Sequence, residues 1–473
     1  MTLRTLTLAP PLTLELCPLA PDLSLFRLAS RFQQLLPAPF LEQAQNEAQL
    51  KRNNSVYSPL VVLWLLVAQR LHGGASLESA VLQMLQGLPA DFWPRPCKRI
   101  RDWRECGKTP SSNTGAYNQA RQALPLSIVE KSCDRIFQEL VAQLDPPAAD
   151  APARVFLLDG SSMRAAHTPE SCKVYPPGSN RYGESHWPLL RILVAHDLQT
   201  GLAMRPEWGA MHGKEAVSEQ GLLERALDRL PLYATVVGDA NFGVFSVVYA
   251  AAQRNHPVVV RLTAARAKSL LREPLRDGID REIEWKPSRW ERSRHPELPA
   301  GACVKGRLLV RRVQPDNGGS AFLLVLFTTL ASPVEEVFTL YGKRWLIETD
   351  LRTLKSTLRL DQFTCNTPDM IAKEIDMGIA AYNIVRALIG FASEQSGIPP
   401  RGYSFTKVRL IMQAFAPALA NAPNPEAAQR ILDQIMTYVQ QSRLPRRKKK
   451  RPSYPREVWK RGATFPNRKD NRP

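Results

Sequence analysis

Two short apolar runs in the middle of the chain each end directly in an aspartate. Residues 155–158 precede Asp159, and residues 235–238 precede Asp239. Runs of this length, bounded by polar residues, are typical of buried strands. In all, strands are predicted at 154–159, 189–196, 201–208, 234–238 and 257–262, with helices at 217–230 and 245–253. Strands that first follow one another and then alternate with helices favour an α/β fold, a mixed sheet with flanking helices. In such sheets the chemistry collects where strands end.

The pattern changes between residues 264 and 331. Short charged segments replace the apolar runs, and strands are predicted at 279–285, 302–313 and 321–328. We interpret this segment as a β-rich insertion whose last strand can rejoin the core. Between residues 264 and 314, 13 Lys and Arg residues stand against 7 acidic residues, with Trp285 and Trp290 among them. The cations suit phosphate contacts and the tryptophans suit a surface for a base, although both tryptophans would equally serve as packing residues.

A helix is predicted from Ser332 to about residue 360, with Ser332 as its cap and Pro333 at its first position. Apolar residues recur at helical spacing and predict one buried stripe, formed by Ile347, Leu351, Leu354 and Leu358. At about 100° per residue, four polar side chains project from one edge beside that stripe: Tyr341, Arg344, Glu348 and Lys355. Gly342 weakens the helix and predicts a break or bend near it.

The charged edge of this helix has two interpretations. An amphipathic helix commonly carries such a flank without any function. Together with Asp159 and Asp239, however, Glu348 completes a set of three carboxylates that two strand ends and one helix supply. Hard oxygen ligands suit Mg²⁺, and a pair of such ions stabilises the attacking and leaving oxygens of a phosphodiester displacement. The second interpretation therefore predicts a divalent-metal site.

The charge of the chain indicates a polyanionic partner, of which nucleic acid is the simplest. The formal net charge is +19, and residues 443–473 contribute 13 Lys and Arg against 2 acidic residues. This basic tail, which spans 446–473, contains Arg446, Arg447 and Lys448. The 7 cysteines show neither a C-x-x-C pair nor zinc-ligand spacing and are interpreted as reduced thiols of an intracellular protein. Neither a secretory signal nor a membrane span is expected.

The rest of the chain is predicted to be helical. A helical N-terminal region covers 1–145, further helices cover 396–445, and the core consists of two parts, 153–263 and 332–395, on either side of the insertion. The N-terminal helices fit a helix-turn-helix-like DNA-binding unit, and they fit an ordinary helical bundle as well. A loop predicted between two helix pairs carries cations that either contact phosphates or are solvated: Lys98, Arg99, Arg101, Arg104 and Lys108.

With these residues in place, the chain resembles bacterial insertion-sequence transposases of the Asp-Asp-Glu class. The group that it looks like carries a Tyr-Arg-Glu-Lys signature on its catalytic helix, which is matched here from Tyr341 to Lys355. Shorter stretches agree with this resemblance: S-L-E-S-A-V from Ser76, G-A-Y-N-Q-A-R-Q-A-L-P from Gly115, D-G-S-S from Asp159 and G-D-A-N-F-G from Gly238. The similarity extends from about residue 57 to residue 461.

The resemblance implies a ribonuclease-H-like core, interrupted by the β-rich insertion and accompanied by helical N-terminal and C-terminal regions that bind DNA. It gives the catalytic and metal-binding roles to Asp159, Asp239 and Glu348, which would hold two Mg²⁺ ions, with Mn²⁺ as a substitute. The expected partners are double-stranded DNA, as transposon ends and as target, and a second copy of the chain in a homodimer. The expected location is the bacterial cytoplasm, at the nucleoid.

The resemblance also implies the residues that hold DNA. Tyr341, Arg344 and Lys355 are similar to residues that contact phosphates near the transposon end in the family. Trp285 or Trp290 would correspond to a tryptophan of the insertion that stacks on a flipped base in some relatives. Arg446, Arg447 and Lys448 would add phosphate contacts from the basic tail.

Two other functions fit the same residues. The first is a DNA-binding relative that has kept the fold and lost its activity. The second is a nuclease of the same fold that cleaves DNA and never joins strands. Neither alternative changes the predicted fold or the predicted site.

Overall fold

The computed structural model describes residues 32–51, 54–86, 88, 92–145, 153–181, 183–315, 320–420, 422 and 424–445. These residues form two compact units. The first unit combines the described residues before 147 with 357–359 and 372–444, and the second combines 153–356 with 360–371. Residues 372–395, which the sequence placed in the catalytic core, thus belong to the same unit as the N-terminal helices.

Six helices are found in the described residues at the start of the first unit: α1 (Ala38–Glu47), α2 (Pro59–Leu71), α3 (Leu77–Leu85), α4 (Lys98–Cys106), α5 (Gly115–Ala123) and α6 (Leu126–Leu144). The apolar helix α2 forms as predicted, with Pro59 in its first turn and the Ser58 hydroxyl accepting a hydrogen bond from the Val61 amide. Such a cap satisfies one of the amides that have no partner within the helix.

The prediction of a loop at residues 98–106 was wrong, because this segment is helix α4. Its apolar side is narrow: Ile100 is buried, and the Trp103 ring packs edge-on against Trp93, 6.3 Å between centroids. Gly107 ends the helix in the left-handed conformation, φ 68°. A helix that buries so few of its own residues leaves little periodicity in the sequence, and its exposed side carries the cations of the predicted loop.

The second unit contains all nine strands found in the described residues, with short helices between them. Its elements are β1 (Val155–Arg164), α7 (Pro169–Val174), β2 (Pro177–Asn180), β3 (Gly183–Asp197), β4 (Glu207–Ala210), α8 (Glu219–Leu227), β5 (Thr235–Gly238), α9 (Phe245–Gln253), β6 (Val258–Arg261), α10 (Ala264–Leu271), β7 (Asp280–Trp285), α11 (Arg289–Arg294), β8 (Val304–Val313) and β9 (Phe322–Thr328).

These strands form one mixed, mostly antiparallel sheet in the order β2-β3-β1-β5-β6-β9-β8-β7, and β4 pairs with β3. Strand β1 is antiparallel to β3 and parallel to β5, and β5 is parallel to β6. An antiparallel start that continues into parallel strands through helical connections is consistent with a ribonuclease-H-like core. The predicted mixed α/β class is confirmed.

The strand predicted at 201–208 was wrong for most of its length, because only residues from Glu207 onward form a strand, β4, and Ala203 makes one isolated bridge to His196 of β3. Leu202 and Ala203 are fully buried, and Met204 donates its amide to the Ala195 carbonyl. Their apolarity reflects a buried connection that runs beside β3, not a strand of regular length.

The insertion strands extend the same sheet. Strand β9 is antiparallel to β6, β8 to β9, and β7 to β8. The backbone amides and carbonyls along the β6 side of the core are therefore paired with β9 and not exposed as an edge.

The helical stretch after β9 is interrupted. It consists of α12 (Val334–Gly342), a 3₁₀ turn (Lys343–Trp345), α13 (Leu346–Arg352) and a π-helical turn (Thr353–Thr357). The predicted cap at Ser332 was wrong, since Pro333 occupies the cap position and no side chain bonds there. The predicted break at Gly342 is found, and Ile347, Leu354 and Leu358 are fully buried as the stripe required.

Three more helices follow, α14 (Pro368–Ser396), α15 (Phe405–Ala420) and α16 (Pro425–Gln441), and they belong to the first unit from residue 372 onward. Among the described residues, α14 is long and apolar enough to cross a membrane, but its apolar window is completely buried in the protein. Its charged residues have buried partners: Glu374 forms an ion pair with Arg70, and the Lys373 ammonium donates to the backbone carbonyl of Gln122. These partners are what a core helix needs to retain charged side chains.

Candidate active site

Asp159 lies on β1, and Asp239 directly follows the neighbouring strand β5. Strand β1 pairs in parallel with β5, and Leu157 faces Val237 two residues before each aspartate. The Asp159 carboxylate accepts a hydrogen bond of 2.9 Å from the Gly160 amide. The Asp239 carboxylate accepts one of 2.8 Å from the Asn241 amide. Each aspartate is thus oriented by the backbone that follows it.

The pKa of Asp159 is raised to about 6. Burial is the largest cause, because it disfavours the charged form, and the nearby carboxylates of Asp239 and Glu219 act in the same direction. The Gly160 amide and the Arg344 guanidinium oppose the shift by stabilising the carboxylate. Carboxylates that repel one another in a partly buried site present the charge that a divalent cation requires.

Glu348 projects from α13, which packs against β1. Its carboxylate lies 3.2 Å from the Arg344 guanidinium and accepts a hydrogen bond from it. The Arg344 side chain is buried, whereas the Glu348 side chain is 43% exposed. Glu348 is therefore held by a cation from the preceding helical turn on its own segment.

Tyr341 and Arg344 are the buried members of the polar helix edge that also carries Glu348 and Lys355. Burial raises the pKa of the Tyr341 phenol, and its surroundings include Arg344, Arg261 and Asp239. The Arg344 guanidinium lies 4.4 Å from the ring centroid of Trp345, which is 61% exposed. A cavity of about 330 Å³ adjoins these residues and is lined by cationic and aromatic side chains: Arg261, Arg311, Phe322, Phe338, Tyr341, Arg344 and Trp345.

Lys355 reaches the same strand as Asp159. Its ammonium donates a hydrogen bond of 3.1 Å to the Ser161 hydroxyl. Ser161 follows Asp159 by two residues on β1, and residues two apart on a strand face the same side. The π-helical turn that contains Lys355 thus places a cation beside the strand of the first aspartate.

The two tryptophans of the insertion differ in exposure. Trp285 is 2% exposed and packs edge-on against Phe327, 5.0 Å between ring centroids. That burial favours the packing interpretation and leaves no face of the Trp285 ring for a base. Trp290 is 62% exposed, with the Arg294 guanidinium 4.6 Å from its ring centroid. Arg446, Arg447 and Lys448 lie outside the described residues.

Three residues near the aspartates were not singled out from the sequence. Ser161 receives Lys355, Trp345 lies under Arg344, and Glu219 accepts a hydrogen bond of 2.5 Å from the Asn241 side-chain amide. The sequence held a weak signal for Trp345, which directly follows Arg344 on the charged edge. Glu219 follows the cap residue Ser218 and looks like an ordinary first-turn acid.

The donor chemistry fits a divalent cation, because two carboxylates lie on adjacent strands and a third lies on the helix packed against them. In the described part of the chain, however, no group of three or more His, Cys, Asp or Glu side chains is arranged to hold a metal ion. In this arrangement the Glu348 carboxylate is paired with the Arg344 guanidinium.

Residues 150–384 match the family described as Transposase DDE domain. The match covers just under half of the 473-residue chain, and over that range the chain is similar to a transposase DDE domain. The matched region includes Asp159, Asp239 and Glu348 together with Tyr341 and Lys355, so the geometry described above lies inside it.

A comparison with a second protein agrees with this match. The chain is 26% identical over 369 residues to the transposase InsG for insertion sequence element IS4 of Escherichia coli (strain K12). The aligned region covers 76% of this chain and 79% of that protein. Together the two matches support a transposase of the IS4 type, which acts on DNA.

Proposed function

We propose that the protein is an active transposase that cleaves the ends of its transposon and joins the freed 3′-hydroxyls to target DNA. The observation that carries the proposal is the position of Asp159 on β1 and of Asp239 directly after the parallel neighbour β5, with the Glu348 helix packed against β1. The match of this region to a transposase DDE domain supports it. Hydrolysis of one phosphodiester bond followed by attack of the new 3′-hydroxyl on another would use the same carboxylates twice.

The proposed catalytic residues are Asp159, Asp239 and Glu348, and the proposed cofactor is a pair of Mg²⁺ ions, for which Mn²⁺ would substitute. Bound there, the ions would activate water and stabilise charge on the leaving oxygen. The two aspartates would bind with little rearrangement, because each is already fixed by a backbone amide. Glu348 would have to exchange the Arg344 guanidinium for the metal.

The proposed phosphate contacts are Tyr341, Arg344 and Lys355, which would place the protein in the group with the Tyr-Arg-Glu-Lys signature. A guanidinium binds phosphate bidentately, an ammonium acts as a point charge, and a phenol donates one hydrogen bond. Once the ion pair between Arg344 and Glu348 separates, the Arg344 guanidinium would be available to the DNA strand. The exchange would therefore link metal binding to DNA binding.

Further DNA contacts are proposed outside this edge. Trp290 is a better candidate than Trp285 for stacking on a base, because its ring is exposed. The helical region before residue 145 and the basic tail with Arg446, Arg447 and Lys448 would bind the flanking duplex. Two copies of the chain would hold the two transposon ends together, at the nucleoid in the bacterial cytoplasm.

The proposal is tested with purified protein and a duplex that carries the terminal inverted repeat found beside the gene. We expect Glu348→Gln to abolish Mg²⁺-dependent cleavage while binding of the duplex in a mobility-shift assay stays within about twofold, because the lost charge serves the metal. Glu336→Gln, on the exposed side of α12, is the matched control and should cleave normally. Full cleavage by Glu348→Gln would overturn the assignment.

A second assay separates a transposase from a nuclease of the same fold. Pre-cleaved duplex ends with a free 3′-hydroxyl are incubated with supercoiled plasmid, Mg²⁺ and the protein. A transposase gives plasmid joined to the labelled ends. Cleavage of intact ends without any joined product would favour the nuclease, and binding without either product would favour an inactive relative.

A further inference from the structure

The N-terminus of α8 contacts the turn that presents Asp239. The Glu219 carboxylate accepts a hydrogen bond of 2.5 Å from the Asn241 side-chain amide. The next residue, Gln220, donates its side-chain amide to the Asn241 carbonyl at 2.8 Å. The Asn241 backbone amide in turn donates to the Asp239 carboxylate at 2.8 Å. Two adjacent side chains of α8 thus hold the residue that orients Asp239.

The same glutamate lies against the residue that follows Asp159. A Cβ added at Gly160 would lie 2.5 Å from the carboxyl carbon of Glu219 and 2.7 Å from its Cγ. Real Cβ atoms essentially never approach other heavy atoms so closely, so the Glu219 side chain occupies the space that any other residue at position 160 would fill. Gly160 also donates its amide to the Asp159 carboxylate. Glu219 therefore contacts Gly160 and the side chain of Asn241, the two residues whose backbone amides orient the aspartates.

We propose that Glu219 is a positioning residue of the metal site, which fixes the Asp159 and Asp239 segments relative to each other through Gly160 and Asn241. The inference rests on the proposed function, because it assumes that the two aspartates bind the metal. Residues that hold metal ligands from behind commonly change metal affinity by about 10- to 100-fold when they are lost. The role requires a hydrogen-bond acceptor and a side chain of this length, and it does not require a negative charge.

The test measures Mn²⁺ binding to the full-length protein without DNA, by electron paramagnetic resonance of the free ion. We expect Glu219→Ala to weaken Mn²⁺ binding by about tenfold or more. Glu219→Gln keeps an oxygen that accepts from Asn241, so its affinity should stay within about threefold of wild type. Glu170→Ala is the matched control, because Glu170 is a first-turn acid of α7 that makes the same helix-dipole contribution. It should leave Mn²⁺ binding unchanged.

A double variant tests the contact with Gly160. Gly160→Ala places a methyl group where the Glu219 carboxyl group lies, so we expect it to weaken Mn²⁺ binding at least as much as Glu219→Ala. In Gly160→Ala/Glu219→Ala the space is open again, and the affinity should equal that of Glu219→Ala alone. Independent, multiplying losses would show that Glu219 and Gly160 do not act through their contact and would overturn this part of the inference.

A kinetic readout separates positioning from a general loss of stability. With Mg²⁺ varied in the cleavage assay, Glu219→Ala should raise the Mg²⁺ concentration for half-maximal rate by about tenfold and keep the rate at saturation within about threefold. A variant that merely unfolds would lose rate at every Mg²⁺ concentration and would melt at a lower temperature. A Glu219→Gln variant as damaged as Glu219→Ala would overturn the inference, since charge and not the hydrogen bond would then be what matters.

Asp239→Asn separates failure of this inference from failure of the proposed function. If Asp239→Asn abolishes Mn²⁺ binding and Glu219→Ala leaves it unchanged, the metal site stands and the role of Glu219 is wrong. If wild type and Asp239→Asn bind Mn²⁺ equally, the metal site itself is misplaced, and the inference falls with it.

Discussion

The strands that carry the two aspartates and the helical segment that carries Glu348 present their carboxylates in different ways. Asp159 on β1 and Asp239 at the end of the parallel strand β5 are each held by a backbone amide within two residues. Glu348 is held by the side chain of Arg344, in a segment that passes from a 3₁₀ turn through α13 into a π-helical turn. If the three carboxylates bind metal as proposed, the two aspartates would be preformed ligands, and Glu348 would become available when its ion pair with Arg344 separates.

The largest expected changes in metal affinity and cleavage rate follow from removing Arg344, the cation that holds Glu348. Arg344→Ala leaves the Glu348 carboxylate without its partner, so we expect Mn²⁺ to bind several-fold more tightly in the absence of DNA. Cleavage should nevertheless fall by about 10- to 100-fold, because the proposed phosphate contact is lost with the guanidinium. Metal titration and single-turnover cleavage of transposon-end duplex measure the two effects separately.

Arg344→Lys is the companion variant, since it keeps the charge and loses the bidentate geometry. Its metal affinity should stay near that of wild type and its cleavage rate should lie between wild type and Arg344→Ala. If Arg344→Ala binds metal no better than wild type, Glu348 is not restrained by the ion pair, and the proposed difference between the two regions disappears.

Lys355 tests the contact that joins the two regions, with a smaller expected effect. Lys355→Ala removes both the hydrogen bond to Ser161 and one proposed phosphate contact. We expect the affinity for end duplex to fall by about threefold to tenfold, with the slope of log affinity against log salt reduced by about 1. Ser161→Ala removes the intramolecular bond and keeps the cation, so it should leave the salt slope unchanged. An unchanged slope in Lys355→Ala would contradict the phosphate contact.

When no metal is bound, the buried carboxyl group of Asp159 should lower the free energy of unfolding at neutral pH. Burial raises the pKa of Asp159 to about 6, above its ordinary value, so the folded state favours the protonated acid. The cost is absent below the ordinary pKa and grows as the pH rises from there to about 6, because the unfolded chain ionises in this range while Asp159 in the fold stays protonated. Above about pH 6 the cost stays constant. We expect Asp159→Asn to stabilise the metal-free protein at pH 7.5 by about 1 to 2 kcal/mol, measured by chemical denaturation.

Measurements at low pH and with added Mg²⁺ serve as controls for the Asp159→Asn prediction. The gain from Asp159→Asn should shrink toward pH 4, where the wild-type carboxyl is protonated as well. Added Mg²⁺ should stabilise wild type and not the variant, because only the wild-type site binds the ion. A variant that is less stable than wild type at pH 7.5 would mean that the Gly160 hydrogen bond to the carboxylate outweighs its burial.

The strand ends could be predicted from the sequence because their signals are local. An apolar run that stops at Asp159 or Asp239 indicates both a buried strand and the place where a side chain leaves it. The spacing of Arg344 and Glu348 likewise gives their contact directly, since residues four apart meet on one helix face. These parts of the fold depend on little beyond neighbouring residues.

Other parts depend on contacts between distant segments. Helix α4 packs through Trp103 against Trp93 and buries few of its other residues. Its apolar residues therefore show too little periodicity for the helix to be predicted. Glu219 contacts Gly160 because β1 passes beside the start of α8. The residues around Glu219 in the sequence indicate only the start of a helix. The π-helical turn at residues 353–357 has no sequence signal of its own, and it changes the direction in which Lys355 projects.

Gly342 offers the smallest and most direct test of the interrupted segment. Its backbone is right-handed helical, with φ −56° and ψ −29°, and an added Cβ would meet nothing within 4 Å. Gly342→Ala should therefore stabilise the protein by about 0.5 to 1 kcal/mol, because alanine loses less backbone entropy on folding. We expect the 3₁₀ turn to persist, since the contacts of Arg344 with Glu348 and Trp345 hold it. Cleavage should then stay within about twofold of wild type. A stabilised variant that cleaves at least tenfold more slowly would show instead that Glu348 reaches the aspartates through flexibility at Gly342.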